Sequence, residues 1–588
     1  MTFRRLIPLA LLVTSLSAGA QPSAPAKSWV ERSNAHARGL LETVALFNPE
    51  QGSALGITTG DEHVLDLGPR VGERSRAALA RAQAELEGQR AKEQDPNVRQ
   101  DLELLVAAAK QMGQASALDE RYLRAWVNVP ETIFEGLHAL LQEDVPPERR
   151  ARALPRLRRY VGLAPDSTPL TQLARARFEE GLGRAELRGP VKAELEQAQA
   201  KAPTYLKGIR TLFTRYAIAD AEPALAALEQ QLAAHAQWER EVVLPRARED
   251  FRLPEELYAF KLQQAGIDLP PEQLVRRAQL EFMEVRAWMQ ALAPQVARAR
   301  GWSVTDYRDV LRALKKEQLG RGRILGHYRK VLTELEKRIV QQRVVSLPKR
   351  PLEMRLATEA ETAARPAPHL DPPSLVDNTG ERGAFVLPLG NPRADGKDES
   401  YDDFTFGAAA WALAAHEGRP GHELQFAAML ERGVSLARSL FAFNSVNVEG
   451  WALYAEAEML PSATLEEQFV TLQFRLLRAA RAMLDPMLHL GQLSPEEARR
   501  VLAEQVGLSA PLIRQELDRY TFDNPGQAGS YFYGYARLLE LRAETELALG
   551  PKFDRLAFND FLLGQGLLTP DLLARAVREE FIPRMKAR

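Results

Sequence analysis

Residues 415–425 read AHEGRPGHELQ, and this stretch interrupts what is otherwise a run of helix-forming sequence from about Phe404 to the C-terminus. Pro420 cannot donate to the carbonyl four residues back, that of His416, and its ring clashes with that carbonyl. Arg419 is pushed out of helical geometry by the proline that follows it, and Gly421 tolerates dihedrals that other residues avoid. The expected local structure is helix, break, helix, with His416 and His422 on either side of the break. On an unbroken helix, six residues turn about 600°, which leaves the second histidine roughly 120° off the face of the first. A bulge that loops out two residues returns His422 to the face of His416.

Outward from this break, both flanks are helical. From Trp29 to about Arg343 the chain is dominated by Ala, Leu, Glu, Arg and Gln, all strong helix formers. Leu225, Leu228, Leu232 and His235 recur on one helical face, as do Leu274, Ala278, Phe282 and Val285. Thr464 to Glu467 and Ser494 to Glu497 fit capping boxes, and Thr569-Pro570-Asp571 marks another helix start. The stretch 346–403 is rich in Pro and Gly, and within it Gly383 to Pro388 reads as a short strand, with the proline marking an edge or an end. The predicted fold is mainly α: a large helical fold with a small β or irregular segment before the helix of His416. The predicted organisation is a leader (1–20), a linker (21–28), an N-terminal helical region (29–345) and a C-terminal helical region carrying the site (346–588).

Composition narrows the function. The chain has 588 residues, with 77 Lys and Arg against 78 Asp and Glu, a net charge of -1. That balance argues against a dedicated nucleic-acid binder, which needs a basic excess. Cysteine is absent, so disulfides, Cys-ligated zinc, iron–sulfur clusters and thiol nucleophiles are excluded, and a metal must be held by His, Asp or Glu. Arg4 and Arg5, the short apolar stretch Leu6–Leu16 and the Ala18-x-Ala20 pattern read as a signal peptide cleaved after Ala20. No cysteine follows it for lipid attachment, and no later segment offers roughly 18 uninterrupted apolar residues. The expectation is an exported protein, periplasmic or extracellular, without stable membrane insertion.

His416 and His422 are the only two of the nine histidines within seven residues of each other. With Glu417 beside the first, they invite comparison with the H-E-x-x-H zinc helix, where the intervening Glu acts as general base. Glu449 lies 27 residues after His422, far enough for a second helix to run back antiparallel and complete a two-His-plus-Glu site. Glu456, seven residues on along the same face, either orients a ligand or is itself the third one. The bland alternatives are two surface histidines around a helix break and a solvated acid at a helix start.

Four segments together, HEGRPGHELQ (416–425), VEGWALYAE (448–456), PGQAGSYFYG (525–534) and LRAETELALGPKFD (541–554), resemble the bacterial domain-of-unknown-function 885 family. Weaker similarity covers Asn48-Pro49 to Gly60-Asp61. The resemblance implies a zinc metallopeptidase-like protein distantly similar to helical enzymes such as carboxypeptidase Taq and thimet oligopeptidase. It implies one zinc ion held by His416, His422 and Glu449, with Glu417 as the catalytic acid–base group. Many members carry a second His after the Pro-Gly-His, where Glu423 stands here. The helical relatives often carry an acid four residues after the third ligand, where Leu453 stands here, so histidine orientation must come from elsewhere.

On that reading Glu417 takes a proton from water and passes it to the leaving amine. A phenol hydroxyl suits the developing oxyanion; Tyr531 is preferred and Tyr535 next, sharing a helix face at four apart, against the alternative that these tyrosines and Tyr533 are core aromatics. Gln527 caps or contacts substrate. Arg537 and Arg542 either anchor a substrate carboxylate or form surface ion pairs on their helix. The Gly383–Pro388 strand is expected at a sheet edge, pairing with an extended substrate.

The predicted function is a secreted zinc-dependent hydrolase, a peptidase acting on small peptide or amide substrates. The alternatives are a non-catalytic helical binding protein with a vestigial or structural metal site, and a metal-dependent amidase or esterase on non-peptide substrates. Glu417 discriminates, because a structural site needs no base beside an open metal position. Cleavage preference and oligomeric state stay open, and two imidazoles and a carboxylate also accept other first-row ions. Asp61-Glu62-His63 cannot supply a tetrahedral shell from one turn, and Asp398, Glu399, Asp402 and Asp403 lack calcium-loop spacing and are read as helix-capping acids. His369 and His489 are taken as lone core or surface histidines.

Overall fold

Apolar faces at helical spacing account for most of the architecture. In the computed structural model, which describes residues 28–143, 145–389 and 402–588, helices make up 69% of the structure and strands 3%. The predicted leader, most of the linker, and Asp398 and Glu399 lie outside the described residues. Leu225, Leu228, Leu232 and His235 all face inward from the helix Glu222–Trp238. Leu274, Ala278, Phe282 and Val285 do the same from Pro271–Arg300. Burying each of the larger side chains stabilises by ~1.5–3 kcal/mol. Both predicted capping boxes form, at Thr464 with Glu467 and at Ser494 with Glu497. Among the described residues no helix is long and apolar enough to cross a membrane.

The largest apolar core takes side chains from both sides of residue 345: Leu274, Phe282 and Val344 pack in the same cluster as Phe385, Trp411 and Phe469. A second core lies in the N-terminal half, around Phe134, Tyr160 and Tyr205.

Three short strands form one sheet: β1 (Glu353–Leu356), β2 (His369–Asp371) and β3 (Ala384–Leu387), in the order β1-β3-β2. β3 runs parallel to β1 and antiparallel to β2, with Leu370 opposite Phe385. The segment Gly383–Pro388, expected at the edge, is therefore central. All four residues of β3 are buried, as an unbroken apolar run fits a strand covered on both faces, and Pro388 falls just past its end. The two edges belong to β1 and β2, and β2 is the one on the site side.

Two helices, Ser445–Met459 and Ser530–Leu549, meet backbone to backbone. A Cβ on Gly450 would sit 2.6 Å from the carbonyl carbon of Gly534, and one on Gly534 would sit 2.0 Å from the Val446 oxygen. Only glycine at both positions permits this approach. The seam sets Glu449, one residue before Gly450, against Tyr531, three residues before Gly534.

Candidate functional site

The break predicted from Pro420 and Gly421 is present. Ala414–Gly418 winds as a π-helical turn, Arg419 is extended, the Arg419–Pro420 peptide is cis, and His422 opens the next helix, His422–Arg432. A Cβ on Gly421 would lie 1.9 Å from the His416 carbonyl oxygen, so this turn is closed to any other residue. Arg419 ties the break down: its guanidinium donates to Glu423 (2.6 Å), Glu336 (2.7 Å) and the Arg350 carbonyl (2.6 Å). Glu423, the departure from the family string, thus neutralises a buried arginine. Trp451 Nε1 donates to the Pro420 carbonyl at 3.0 Å, joining the break to the Ser445–Met459 helix.

The result brings the two histidine rings together, with centroids 4.7 Å apart and planes at 84°. Both Nε2 atoms approach Glu449 Oε2, at 3.5 Å from His416 and 3.3 Å from His422. Neither contact has hydrogen-bond geometry, and Glu449 Oε2 is buried and unsatisfied. Donor atoms bound ~2.0–2.2 Å from one tetrahedral ion stand about 3.3–3.5 Å apart. An orphaned carboxylate oxygen at that spacing from each of two imidazole nitrogens has the donor chemistry and the N–O distances that suit a divalent cation. One donor atom from each of His416, Glu417 and His422 also lies within 4.8 Å of the others.

The groups around these donors fix their states. His416 Nδ1 donates to Glu456 Oε1 at 2.7 Å, which leaves Nε2 to face Glu449. Burial lowers the His416 pKa, but the Glu449 and Glu456 carboxylates outweigh it and lift the ring to about 9. Burial opposes ionisation of Glu449, yet the two histidines hold its carboxyl well below the usual carboxylate range. Glu417 Oε2 accepts from the Leu370 backbone N–H at 2.9 Å, so the β2 edge orients that carboxylate. Tyr531 stacks near His416, with centroids 6.2 Å apart at 14°, and the Arg481 guanidinium carbon sits 4.6 Å from the centre of the Tyr531 ring.

These side chains open onto a cavity of about 540 Å³ lined by Glu417, His422, Glu449, Gln527 and Tyr531, among others. Gln527 also donates to Ser445 Oγ at 2.8 Å. The structure does not bring the remaining sequence candidates there. Tyr535 lies against Arg475, whose guanidinium carbon is 4.8 Å from its ring centre. Arg537 pairs with Asp571 at 2.7 Å and Asp268 at 3.3 Å. Arg542 pairs with Glu458, and with Glu546 at 2.7 Å. Tyr533 bonds Asp268.

The family profile for bacterial proteins of unknown function, DUF885, matches residues 49–577. The chain belongs to the DUF885 family. This DUF885 chain also superposes on two solved structures. One is a candidate lipoprotein from Colwellia psychrerythraea, at a TM-score of 0.76 and 18% identity, covering 95% of this chain and 100% of that one. The other is a candidate lipoprotein of unknown function from Shewanella oneidensis, at a TM-score of 0.68 and 21% identity, covering 94% and 100%. At these identities the likeness is one of fold. A search of the curated proteins finds no match.

Several residues of the DUF885 cavity carry no signal in the sequence. Gln197 and Lys201 reach it from the N-terminal half, Arg519 from the turn after the helix Ala510–Asp518, and His369 from β2. His369 Nδ1 bonds the Ala367 carbonyl at 2.9 Å, and burial pulls its pKa down. The lesser sequence clusters have structural partners. Asp61 is buried against Arg149 and Ser53. Asp402 and Asp403, read as helix-capping acids, instead bind Lys315 at 2.8 and 2.6 Å. His489 accepts from the Leu253 N–H, bonds the Tyr520 carbonyl and stacks on Tyr258.

Proposed function

We propose that this protein is an exported zinc-dependent hydrolase of small peptides or amides. The observation that carries the reading is the convergence of His416 Nε2 and His422 Nε2 on an unsatisfied Glu449 Oε2, with Glu417 on the cavity side. His416, His422 and Glu449 would hold the ion, and three protein ligands leave a fourth position open. Zinc there supplies Lewis acidity, polarising a carbonyl and acidifying water.

The chain's own residues do the rest. Leu370 N–H holds Glu417 Oε2, leaving Oε1 to take a proton from water and return it to the leaving amine. Glu456 keeps the His416 ring turned with Nε2 inward. The Tyr531 hydroxyl donates to the oxyanion as it develops; burial raises its pKa, which keeps the phenol protonated. The β2 edge lies along the cavity, with its Leu370 N–H engaged by Glu417. The recessed site favours short substrates over folded ones. Glu417 has no function in a purely structural metal site, which favours catalysis over a binding role. For export, the signal-peptide pattern before Gln21 is supported by the description of both superposing structures as candidate lipoproteins.

The test is elemental analysis of the purified protein together with Glu417→Gln against a peptide library. About one zinc per chain and a loss of turnover of at least ~10²-fold, the lower end of a general base's contribution, are expected. Hydrolysis that persists in metal-free protein, or that survives Glu417→Gln, overturns the reading.

A further inference from the structure

Arg519 lines the same cavity as Glu417, His422, Glu449 and Tyr531. Among the described residues its guanidinium has no hydrogen-bond acceptor and no ion-pair partner, and Nη1 is buried and unsatisfied. Burial opposes its charge, yet Tyr531, Glu516 and Glu449 outweigh that through space and raise its pKa, while none of them accepts a hydrogen bond from it. Glu516 is taken by Arg481, at 2.6 and 2.8 Å, and by the Tyr520 hydroxyl at 2.7 Å. Arg478 and Arg481 crowd the same Tyr531 ring, adding positive charge. Asp518 and Asp523 share the cavity, but neither pairs with Arg519. Burial, and then Asp523, pushes the Asp518 pKa up to about 6, and its carboxylate accepts from Gln197 at 2.6 Å instead. A buried guanidinium N–H with no acceptor is costly in a folded protein, and Nη1 of Arg519 is such a group.

We propose that Arg519 receives the free α-carboxylate of the substrate, so that the protein acts on peptides or N-acyl amino acids near their C-terminus. This rests on the hydrolase reading above. The planar fork of arginine matches a carboxylate through two parallel hydrogen bonds. Position sets the register. The Tyr531 ring lies 6.2 Å from the His416 ring and 5.9 Å from the Arg519 guanidinium carbon. One phenol ring therefore bridges the histidine pair and the arginine, and a leaving segment of one to three residues, at ~3.3–3.6 Å each, spans that interval. Bond cleavage at the histidine end by water yields an acyl carboxylate on one side. On the other it yields an amine whose own carboxylate stays on Arg519.

The test compares an N-benzoyl dipeptide with its C-terminal carboxamide, titrated calorimetrically into full-length Glu417→Gln protein so that neither is turned over. The acid should bind at least ~10-fold more tightly than the amide, the effect of one charge-assisted pair. Arg519→Gln should erase the difference and Arg519→Lys should keep part of it, while circular dichroism confirms that both are folded. Equal binding of acid and amide, or a preference that survives Arg519→Gln, overturns the proposal. So does an equal loss of kcat on acid and amide substrates in Arg519→Gln, which would move the residue to the oxyanion. Because binding is read without turnover, a protein that prefers the acid but retains no metal fails the hydrolase reading and keeps the anchor.

Discussion

Glu456 Oε1 lies 2.7 Å from Nδ1 of His416, while Nε2 of the same ring faces Glu449 Oε2 at 3.5 Å. One helix, Ser445–Met459, thus grips both nitrogens of a single imidazole with acids seven residues apart. The acid that Leu453 fails to provide is supplied two turns along from Glu449.

This grip gives the first prediction. Glu456→Ala removes the acceptor that fixes the tautomer and should weaken metal binding 10–100-fold, the usual cost of losing such a partner. Competition against a fluorescent chelator measures it. Unchanged affinity would show that the His416 ring is held by other contacts.

Zinc should also stabilise the fold through this site. At a hundredfold excess over its dissociation constant, a ligand that binds only the folded state contributes about 2.7 kcal/mol. Scanning calorimetry should show the metal-dependent rise in Tm for wild type and none for His422→Ala. An equal rise in both would place the ion elsewhere.

Two glycines should resist change for steric reasons. Gly421→Ala drives a methyl to within 1.9 Å of the His416 oxygen, and Gly534→Ala to within 2.0 Å of the Val446 oxygen. Backbone must move in both cases, at a cost of about 1–3 kcal/mol or more. Urea unfolding should report it, with Gly88→Ala, which has open space around its Cβ position, as a control near or above wild type.

Asp485 predicts an uncommon pH dependence. It is buried, accepting from the Tyr258 hydroxyl at 2.9 Å and the Gly526 N–H at 2.9 Å. Burial pushes its pKa up to about 7, against these hydrogen bonds. The folded state therefore holds a proton that the unfolded state releases near pH 4. Its contribution to stability is complete below about pH 4 and lost as pH rises to about 7, at up to ~1.4 kcal/mol per pH unit. Asp485→Asn should remove that slope in unfolding measured from pH 4 to 8. A slope identical to wild type would show that Asp485 does not titrate there.

The helical class was legible because period-3.6 apolar faces such as Leu274 to Val285 depend on local sequence alone. The broken helix was legible for the same reason: Pro420 and Gly421 act on carbonyls within one turn. Strand placement was not. The run Ala384–Leu387 announces a strand, but whether it lies at an edge depends on which other segments flank it, and β1 and β2 enclose it. The candidate site divides likewise. His416, His422 and Glu449 fall in two short segments and were visible by spacing, whereas Arg519 and Lys201 meet them only through tertiary packing. Tyr535, Arg537 and Arg542 share a helix with Tyr531, and the sequence could not say which of its faces meets the cavity. The Gly450–Gly534 seam decides that.

The seam also restricts how the molecule can vary. Where two main chains rest on each other with no side chains between them, there is no cushion to absorb a change of girth. A thicker residue on one strut must be matched by a concession on the other, or both slide lengthwise. Sliding would carry the Glu449 carboxylate past the Tyr531 phenol, so tolerance at these two positions is coupled to the alignment of the acid beside one glycine with the phenol a turn from the other.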